Sequence, residues 1–348
     1  MSSVPTDNRL YSAEPDGPLA GWQALPPQYA IPEQAPSLDE ARQYCARLAH
    51  SHYENFSVVT WFLPKHLHQH FYNVYAYCRI SDDLGDEVGD PQQALALLDA
   101  WEAELNATYL SLVEPPLRDV RKSTEEREGF EGSRSRGQGP GTAPRHPVFI
   151  ALRETIRELD IPRAPFANLL TAFRQDQRVT RYPTFEDLLG YCVNSANPVG
   201  HLVLYVCGYR DAERQQLSDY TCTALQLANF WQDVAVDCTK GRIYLPLESL
   251  AEYGVSEDDI AQPRPTPQFR AMMRFEVARA REWFQRGLPL AAKVDKHLAI
   301  DIELFSRGGL EILNAIERQN YDVLTHRPAI SRPRKLWLVG RAALGKVL

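Results

Sequence analysis

Two acidic clusters, far apart in the chain, constrain the fold of this protein more than any other feature of its sequence. The first, DDLGDE, contains Asp82 and Asp86, and the second, QLANFWQDVAVD, contains Asp233 and Asp237. In both clusters two aspartates stand four residues apart, which places them on one face of an α-helix, about one turn from each other. Like charges at this distance repel each other unless a cation lies between them. The pattern predicts two facing helices that line a cleft for divalent ions and a phosphorylated ligand.

We expect the ion to be Mg²⁺, which prefers oxygen ligands, keeps several waters and shares its other positions with phosphate oxygens. Asn229 stands one turn before Asp233, and Gln226 lies about one turn further back on the same face. The predicted metal ligands are Asp82, Asp86, Asn229, Asp233 and Asp237. A solvated helix face is the alternative for any one pair. The aromatic and apolar flanks FYNVYAYCRI and LQLANFW favour a metal site, because charges beside buried surface need partners.

Basic residues next to the clusters are placed to bind an anion. Arg79 lies three residues before Asp82 on the same helix face, where a guanidinium can hold a diphosphate with two hydrogen bonds. A salt bridge from Arg79 to Asp82 or Asp83 is the alternative. Arg242 and Tyr244, in GRIYLP, are expected to contact the same anion where the chain leaves the second helix. An ordinary turn would explain these two residues equally well.

The remaining sequence predicts an all-α bundle with its site between facing helices. Strand alternation and hairpin turns are nearly absent, whereas prolines and capping residues precede apolar-periodic runs. The predicted helix starts are Ser37, Pro64, Pro91, Pro147, Pro165, Thr184, Pro198 and Ala212, and two further helices are expected at about 267–286 and 298–324.

We expect one domain at residues 36–348, preceded by a flexible arm at residues 1–35 that is rich in Pro, Ser and Gly. Residues 114–146 are charged, rich in Gly and Pro and almost free of aliphatic side chains. Such a segment cannot bury enough surface to offset the cost of ordering, so it is predicted to be a disordered loop inserted between helices.

Bulk properties indicate a cytoplasmic protein that does not bind nucleic acid. The net charge of −7 argues against a nucleic-acid partner. The six cysteines are scattered, as expected of reduced thiols. A signal peptide and an apolar run of membrane-spanning length are both missing from the sequence. The basic and apolar C-terminal stretch RPRKLWLVGRAALGKVL either packs on the body or rests on a membrane surface.

The two clusters and the segment between them resemble the squalene and phytoene synthase family. YAYCRISDDLGD is similar to that family's first aspartate motif, and QLANFWQDVAVDCTKGRIYLP to its second. YPTFEDLLGYCVNSANPVG is similar to the segment between them. The resemblance runs from about residue 37 to 336, apart from 114–146. It implies a class I isoprenoid synthase helical bundle with a central cavity, a prenyl diphosphate substrate and magnesium-assisted loss of diphosphate.

HYENF, SANPVG, NFWQDV and GGLEILNAIERQNYDVLTHRP together resemble the bacterial hopanoid-pathway branch called HpnC. That branch converts presqualene diphosphate to hydroxysqualene. The resemblance implies that other enzymes of the hopanoid and squalene pathway are partners; it leaves the oligomeric state open. Gln232 stands where the family usually has Arg, and Asn197-Pro198 where it usually has Gly followed by a variable residue. Gly309 stands where some relatives have a Tyr facing the substrate.

These departures lead us to expect a positioned water that captures a carbocation. The predicted catalytic residues are Arg79, Glu54, Asn55, Tyr75, Gln232 and Asn197, and the predicted substrate- or diphosphate-binding residues are His52, Phe56, Arg79, Gln226, Arg242 and Tyr244. Phe56, Tyr75 and Phe230 could shield the cation with their π faces, although core packing explains each equally well. A head-to-head condensing synthase acting on farnesyl or geranylgeranyl diphosphate would share every aspartate and is the alternative function.

Overall fold

The computed structural model describes residues 29–51, 63–113 and 143–331. The helices in these ranges are α1 (Leu38–Ser51), α2 (His68–Asp86), α3 (Pro91–Val113), α4 (Pro147–Leu159), α5 (Ala164–Asp176), α6 (Phe185–Ser195), α7 (Asn197–Val206), α8 (Ala212–Thr239), α9 (Leu247–Tyr253), α10 (Glu257–Ala261), α11 (Pro267–Gly287) and α12 (Lys296–Arg318). Short 3₁₀ turns lie at Lys65–Leu67 and Leu288–Lys293. The only β pairing in the described ranges is an isolated bridge between Arg181 and Ile243. The predicted all-α class is confirmed.

Local capping signals explain where several helices begin. The hydroxyl of Ser37 accepts from the backbone N–H of Glu40, whose carboxylate accepts from Ser37 in return, at the start of α1. Thr184 and Asp187 form the same reciprocal pair at α6. The side chain of Asp211 caps α8 by accepting from a backbone N–H in its first turn. Each cap satisfies backbone donors that have no partner inside the helix.

The structure differs from the sequence prediction in two short helices and at the ends of two segments. The helices α9 and α10 were not predicted, because each is only about two turns long or less. The loop predicted at residues 114–146 ends earlier, since His146 is fully buried and donates its backbone N–H to Glu104 at 2.9 Å. The predicted arm at residues 1–35 is also partly packed, because Tyr29 is buried in a core cluster. Residues 1–28, 52–62, 114–142 and 332–348, including the basic C-terminal stretch, lie outside the described residues.

Two large apolar clusters hold the bundle together. One joins α1 to α5 with α7 around Trp101, whose ring centroid lies 4.5 Å from that of Phe149. The other joins α6 and α8 to α11 and α12 around the fully buried Trp231. The long helix α8 packs against α7, α11 and α12 and so connects the two halves. Among the described helices none is long and apolar enough to cross a membrane.

Candidate active site

A cavity of about 650 Å³ lies between α2, α5, α6, α7, α8 and α12. This volume is within the range of sites that enclose a small ligand. Most of the surrounding wall is apolar, and both acidic clusters open onto it. The predicted site residues that line the cavity are Tyr75, Arg79, Asp82, Asp86, Gln226, Asn229, Asp237, Arg242 and Tyr244. The structure therefore brings residues of both acidic clusters to one cavity, as the helical spacing of the aspartates implied.

Salt bridges link the first cluster to the segment that follows the second cluster in the chain. Arg242, just beyond the end of α8, donates to Asp86 of α2 at 2.8 Å. Lys240 lies 3.6 Å from the other oxygen of the same carboxylate. Arg242 thus contacts an acidic partner, and its side chain is mostly buried, at 15% exposure. Lys240 lies within the second family motif, but sequence reasoning gave it no role.

Arg79 forms the salt bridge that the sequence offered as the alternative to anion binding. Its guanidinium pairs with the buried Asp83, and its other terminal nitrogen lies 4.0 Å from Asp82. Arg79 also lines the cavity. The pairing therefore holds a guanidinium at the cavity wall, where it can still reach a bound anion.

In the second cluster, Asp237 lines the cavity, whereas Asp233 is engaged elsewhere. Both oxygens of Asp233 accept from the guanidinium of Arg327, which follows α12 in the chain. Arg327 lies in the segment LTHRP and carries no sequence signal that would assign it to an acidic cluster. Asn229, one turn before Asp233, is exposed and lines the cavity.

Asp176 and Tyr191 are cavity residues that sequence reasoning also missed. Asp176 is the last residue of α5, and the hydroxyl of Tyr191 on α6 donates to its Oδ2 at 2.9 Å. The other carboxylate oxygen, Oδ1, is buried without a hydrogen-bond partner. A single Asp at the end of a helix has no pattern that distinguishes it from a surface residue. Only the packing of α5 against α6 places it at the cavity.

Three carboxylates of the cavity have raised pKa values. Desolvation by the cavity wall and the nearby Asp86 carboxylate raise the pKa of Asp82 to about 6, although its side chain is 51% exposed. Burial raises the pKa of Asp176 to about 7. Burial and the neighbouring charge of Asp233 raise the pKa of Asp237 to about 7. Desolvation is the largest cause in each case, and the charge of neighbouring carboxylates adds to it.

This charge pattern fits Mg²⁺ that is shared with a phosphorylated ligand. Within the described ranges no three His, Cys, Asp or Glu side chains converge closely enough to hold a metal ion by themselves. Magnesium does not need such a cage, because one or two carboxylates suffice when phosphate oxygens and water complete its coordination. Asp82 and Asp237, with raised pKa values, and the amide of Asn229 supply donors of the required kind.

Two predicted catalytic residues do not line the cavity. The buried side chain of Gln232 donates from Nε2 to the carbonyl oxygen of Pro328 at 2.6 Å. The buried Asn197 accepts from the hydroxyl of Thr223 at 3.0 Å. Both amides make hydrogen bonds between segments and lie outside the cavity lining, so their catalytic role stays a prediction. The predicted residues His52, Glu54, Asn55 and Phe56 lie outside the described residues.

Three of the aromatic residues that line the cavity form a cluster. The ring of Phe230 lies parallel to that of Tyr244, with centroids 3.9 Å apart. Tyr191 adjoins both rings at about 6 Å. Phe230 is buried in the core and also lines the cavity, so it meets the packing and the binding interpretation at once.

The neighbours of Gly309 leave little space for a side chain at this position. A Cβ atom built at Gly309 would lie 2.3 Å from Cζ of Phe284 and 2.9 Å from Cδ2 of Leu225. The ring of Phe284 thus fills the space into which a side chain at residue 309 would extend. Leu225, on the other side, lines the cavity.

Comparison with known proteins shows the family and the fold. The squalene/phytoene synthase family model matches residues 49–334. A crystal structure of squalene synthase HpnC from Alicyclobacillus acidocaldarius superposes with a TM-score of 0.69 at 43% identity, covering 82% of this chain and 96% of that one. A dehydrosqualene synthase in complex with ligand gives a TM-score of 0.72 at 23% identity, covering 88% and 97%, and supports the fold. The 15-cis-phytoene synthase of Synechococcus elongatus is 29% identical over 316 residues, 86% of this chain and 91% of that protein.

Proposed function

Because the chain belongs to the squalene/phytoene synthase family, whose members act on prenyl diphosphates, we propose that it converts presqualene diphosphate to hydroxysqualene and diphosphate, with Mg²⁺ as its cofactor. The observation that supports this branch of the family is the 43% identity to squalene synthase HpnC, over 96% of that chain; the alcohol product rests on the motifs that resemble the HpnC branch. Identity to the phytoene synthase of S. elongatus is lower, at 29%. The resemblance of SANPVG, NFWQDV and the C-terminal GGLEILNAIERQNYDVLTHRP to the HpnC branch points the same way.

The polar part of the cavity suits the diphosphate. Asp82, Asp86, Asn229, Asp233 and Asp237 would hold Mg²⁺, which when bound supplies positive charge for the leaving diphosphate. Arg79 and Arg242 already stand at the cavity wall, each against a carboxylate. Their planar guanidinium groups can orient phosphate oxygens through paired hydrogen bonds.

The apolar part suits the prenyl tails and the carbocation that forms when diphosphate leaves. Phe71, Phe173 and Leu204 are among the side chains that line it. In the proposed reaction, loss of diphosphate gives a cyclopropylcarbinyl cation that rearranges inside this wall. The stacked rings of Phe230 and Tyr244, with Tyr75, present aromatic surface that can stabilise the cation.

Asp176 is our candidate for the group that accepts a proton from the capturing water. When water adds to the cation, a C–O bond forms and one O–H proton must leave. The partnerless Oδ1 of Asp176 is the oxygen that can receive it, while Oδ2 is held by Tyr191. A carboxylate with a pKa near 7 is well matched to taking up a proton at neutral pH.

The test is product analysis in water enriched in ¹⁸O. The purified protein is incubated with presqualene diphosphate and Mg²⁺ in the absence of NADPH. We expect an alcohol that carries one ¹⁸O atom, because the hydroxyl oxygen comes from solvent. A hydrocarbon product, or an alcohol without the label, would contradict the proposal.

A condensing reaction is the second candidate, since the described aspartates of the cavity would serve both reactions and phytoene synthases are among the relatives. Incubation with farnesyl or geranylgeranyl diphosphate alone separates the two. If either compound is consumed to give presqualene diphosphate, squalene or phytoene, the chain is a condensing synthase and our assignment is wrong.

The assignment also sets the expected cellular context. The partners would be the enzymes that supply presqualene diphosphate and consume the alcohol, in a bacterial cytoplasm. Contact of the basic C-terminal stretch with a membrane surface stays a prediction, since residues 332–348 are outside the described ranges.

A further inference from the structure

Residues 319–328, here called the strap, fold back over the second acidic cluster after α12 ends. Asn320 and Tyr321 have positive φ angles of 52° and 60°, which reverse the chain direction. The carboxylate of Asp322 accepts from the hydroxyl of Thr325 at 2.7 Å and from its backbone N–H at 3.1 Å. The side chains of Tyr321, Val323 and Leu324 are buried in the core. The strap is therefore a built part of the fold.

The strap carries a guanidinium to Asp233. Nε and Nη2 of Arg327 donate to the two oxygens of this carboxylate, with Nη2 at 3.0 Å. The side chain of Arg327 is 54% exposed, whereas that of Asp233 is only 14% exposed. The exposed guanidinium can therefore move into solvent, whereas the mostly buried carboxylate of Asp233 needs a cation beside it.

Gln232 fixes the strap at the neighbouring residue. Its buried amide donates to the carbonyl oxygen of Pro328 at 2.6 Å. This contact holds the backbone next to Arg327 without using the guanidinium. The side chain of Arg327 can therefore leave Asp233 while the strap stays in place.

We propose that Arg327 is a resident counter-cation of Asp233 which Mg²⁺ must displace, so that Asp233 becomes a metal ligand only when diphosphate enters together with the ion. A guanidinium and Mg²⁺ require the same carboxylate oxygens and repel each other. Diphosphate offers Arg327 an alternative acceptor with matching fork geometry. Gln232 is a positioning residue that acts through Arg327. This inference rests on the proposed Mg²⁺ and diphosphate site and deepens it.

The test is calorimetric titration of the full chain with MgCl₂ alone and with MgCl₂ plus inorganic diphosphate. The Arg327→Met variant should bind Mg²⁺ alone about fivefold more tightly than the wild type, because one competing charge is gone. Arg327→Lys keeps the charge without the fork and should fall between them. The gain in Mg²⁺ affinity on adding diphosphate should be larger in the wild type than in Arg327→Met.

Arg42→Met is the matched control. Arg42 also grips a mostly buried carboxylate with Nε and a terminal nitrogen, that of Glu154, and the side-chain exposures are 36% and 12%. This pair joins α1 to α4 and does not line the cavity, so its loss should leave Mg²⁺ affinity unchanged. Unaltered or weaker Mg²⁺ binding by Arg327→Met would overturn the proposal.

Amide hydrogen exchange of the metal-free protein tests the role of Gln232. Gln232→Leu removes the donor to Pro328, so the amides of residues 325–327 should exchange faster and Mg²⁺ alone should bind more tightly than in the wild type. Gln69→Leu, which removes a comparable donor to the carbonyl oxygen of Arg42, should change neither. Unchanged exchange in Gln232→Leu would refute its positioning role. None of these measurements uses a prenyl substrate, so they succeed or fail independently of the product that the enzyme forms.

Discussion

Replacing Asp176 by Asn should change the pH dependence of stability in the metal-free protein. Asp176 is 93% buried, and one of its oxygens has no hydrogen-bond partner. Burial raises its pKa from 3.8 to about 7 in the folded protein. Asn is nearly isosteric and keeps an oxygen that accepts from Tyr191. The substitution therefore removes the buried charge with little other change.

The sign follows from proton binding. Between pH 4 and pH 7 the folded protein keeps the proton on Asp176 while the unfolded chain has lost it. Stability therefore falls as pH rises through this window and is constant above it. A rise of about three pKa units corresponds to a loss on the order of 4 kcal/mol. The Asn variant should lack this loss, so its advantage over the wild type should grow from near zero at pH 4 to a few kcal/mol at pH 8.

Urea unfolding of both proteins at several pH values, without Mg²⁺, measures this difference directly. The slope with urea should be the same for both, because the surface exposed on unfolding does not change. A difference in unfolding free energy that stays constant from pH 4 to pH 8 would refute the buried, protonated state of Asp176. The same variant should lose alcohol formation if Asp176 accepts the proton from water.

Three further outcomes follow from the structure. Gly200→Ala should destabilise the protein by about 1–3 kcal/mol in urea unfolding, because its Cβ would lie 2.2 Å from Oγ of Ser218; adding Ser218→Ala should recover part of the loss. Gly309→Ala should be destabilising by a similar amount through Phe284, and Phe284→Leu should relieve it, whereas full additivity would show that the two residues do not clash. Asp82→Asn should lower kcat by about a hundredfold or more. It should not lower the melting temperature at pH 8, since desolvation and a like charge already disfavour the ionised form of this carboxylate. An unchanged kcat would remove Asp82 from the metal site.

Much of the fold was predictable because the signals for it are local. Capping pairs such as Ser37 with Glu40, and Thr184 with Asp187, involve residues three apart, and the structure contains both pairs. The i, i+4 spacing of Asp82 and Asp86 likewise depends only on helix geometry. Short helices such as α10 have too few residues for a periodic pattern, so their existence is decided by packing.

The partners of the acidic residues were not predictable, because they come from distant parts of the chain. Arg242 reaches Asp86 from beyond the end of α8, and Arg327 reaches Asp233 from the strap. Gln232 illustrates the same limit. Its place beside Asp233 in the sequence suggested a role in the cavity, but adjacent helix residues point in different directions, and its amide faces Pro328.

These distant partners explain how so many carboxylates can lie together in a stable protein. The described site has six carboxylates and four basic side chains, and four of the carboxylates are paired with them. The pairs are Arg79 with Asp83 and Asp82, Arg242 and Lys240 with Asp86, and Arg327 with Asp233. Asp176 and Asp237 form no salt bridge with these four and have pKa values near 7, so at neutral pH protonation removes part of the remaining charge. A metal ion alone would have to displace guanidinium groups without offering them another acceptor. A diphosphate that arrives with Mg²⁺ gives each guanidinium a new acceptor, so the two ligands should bind cooperatively.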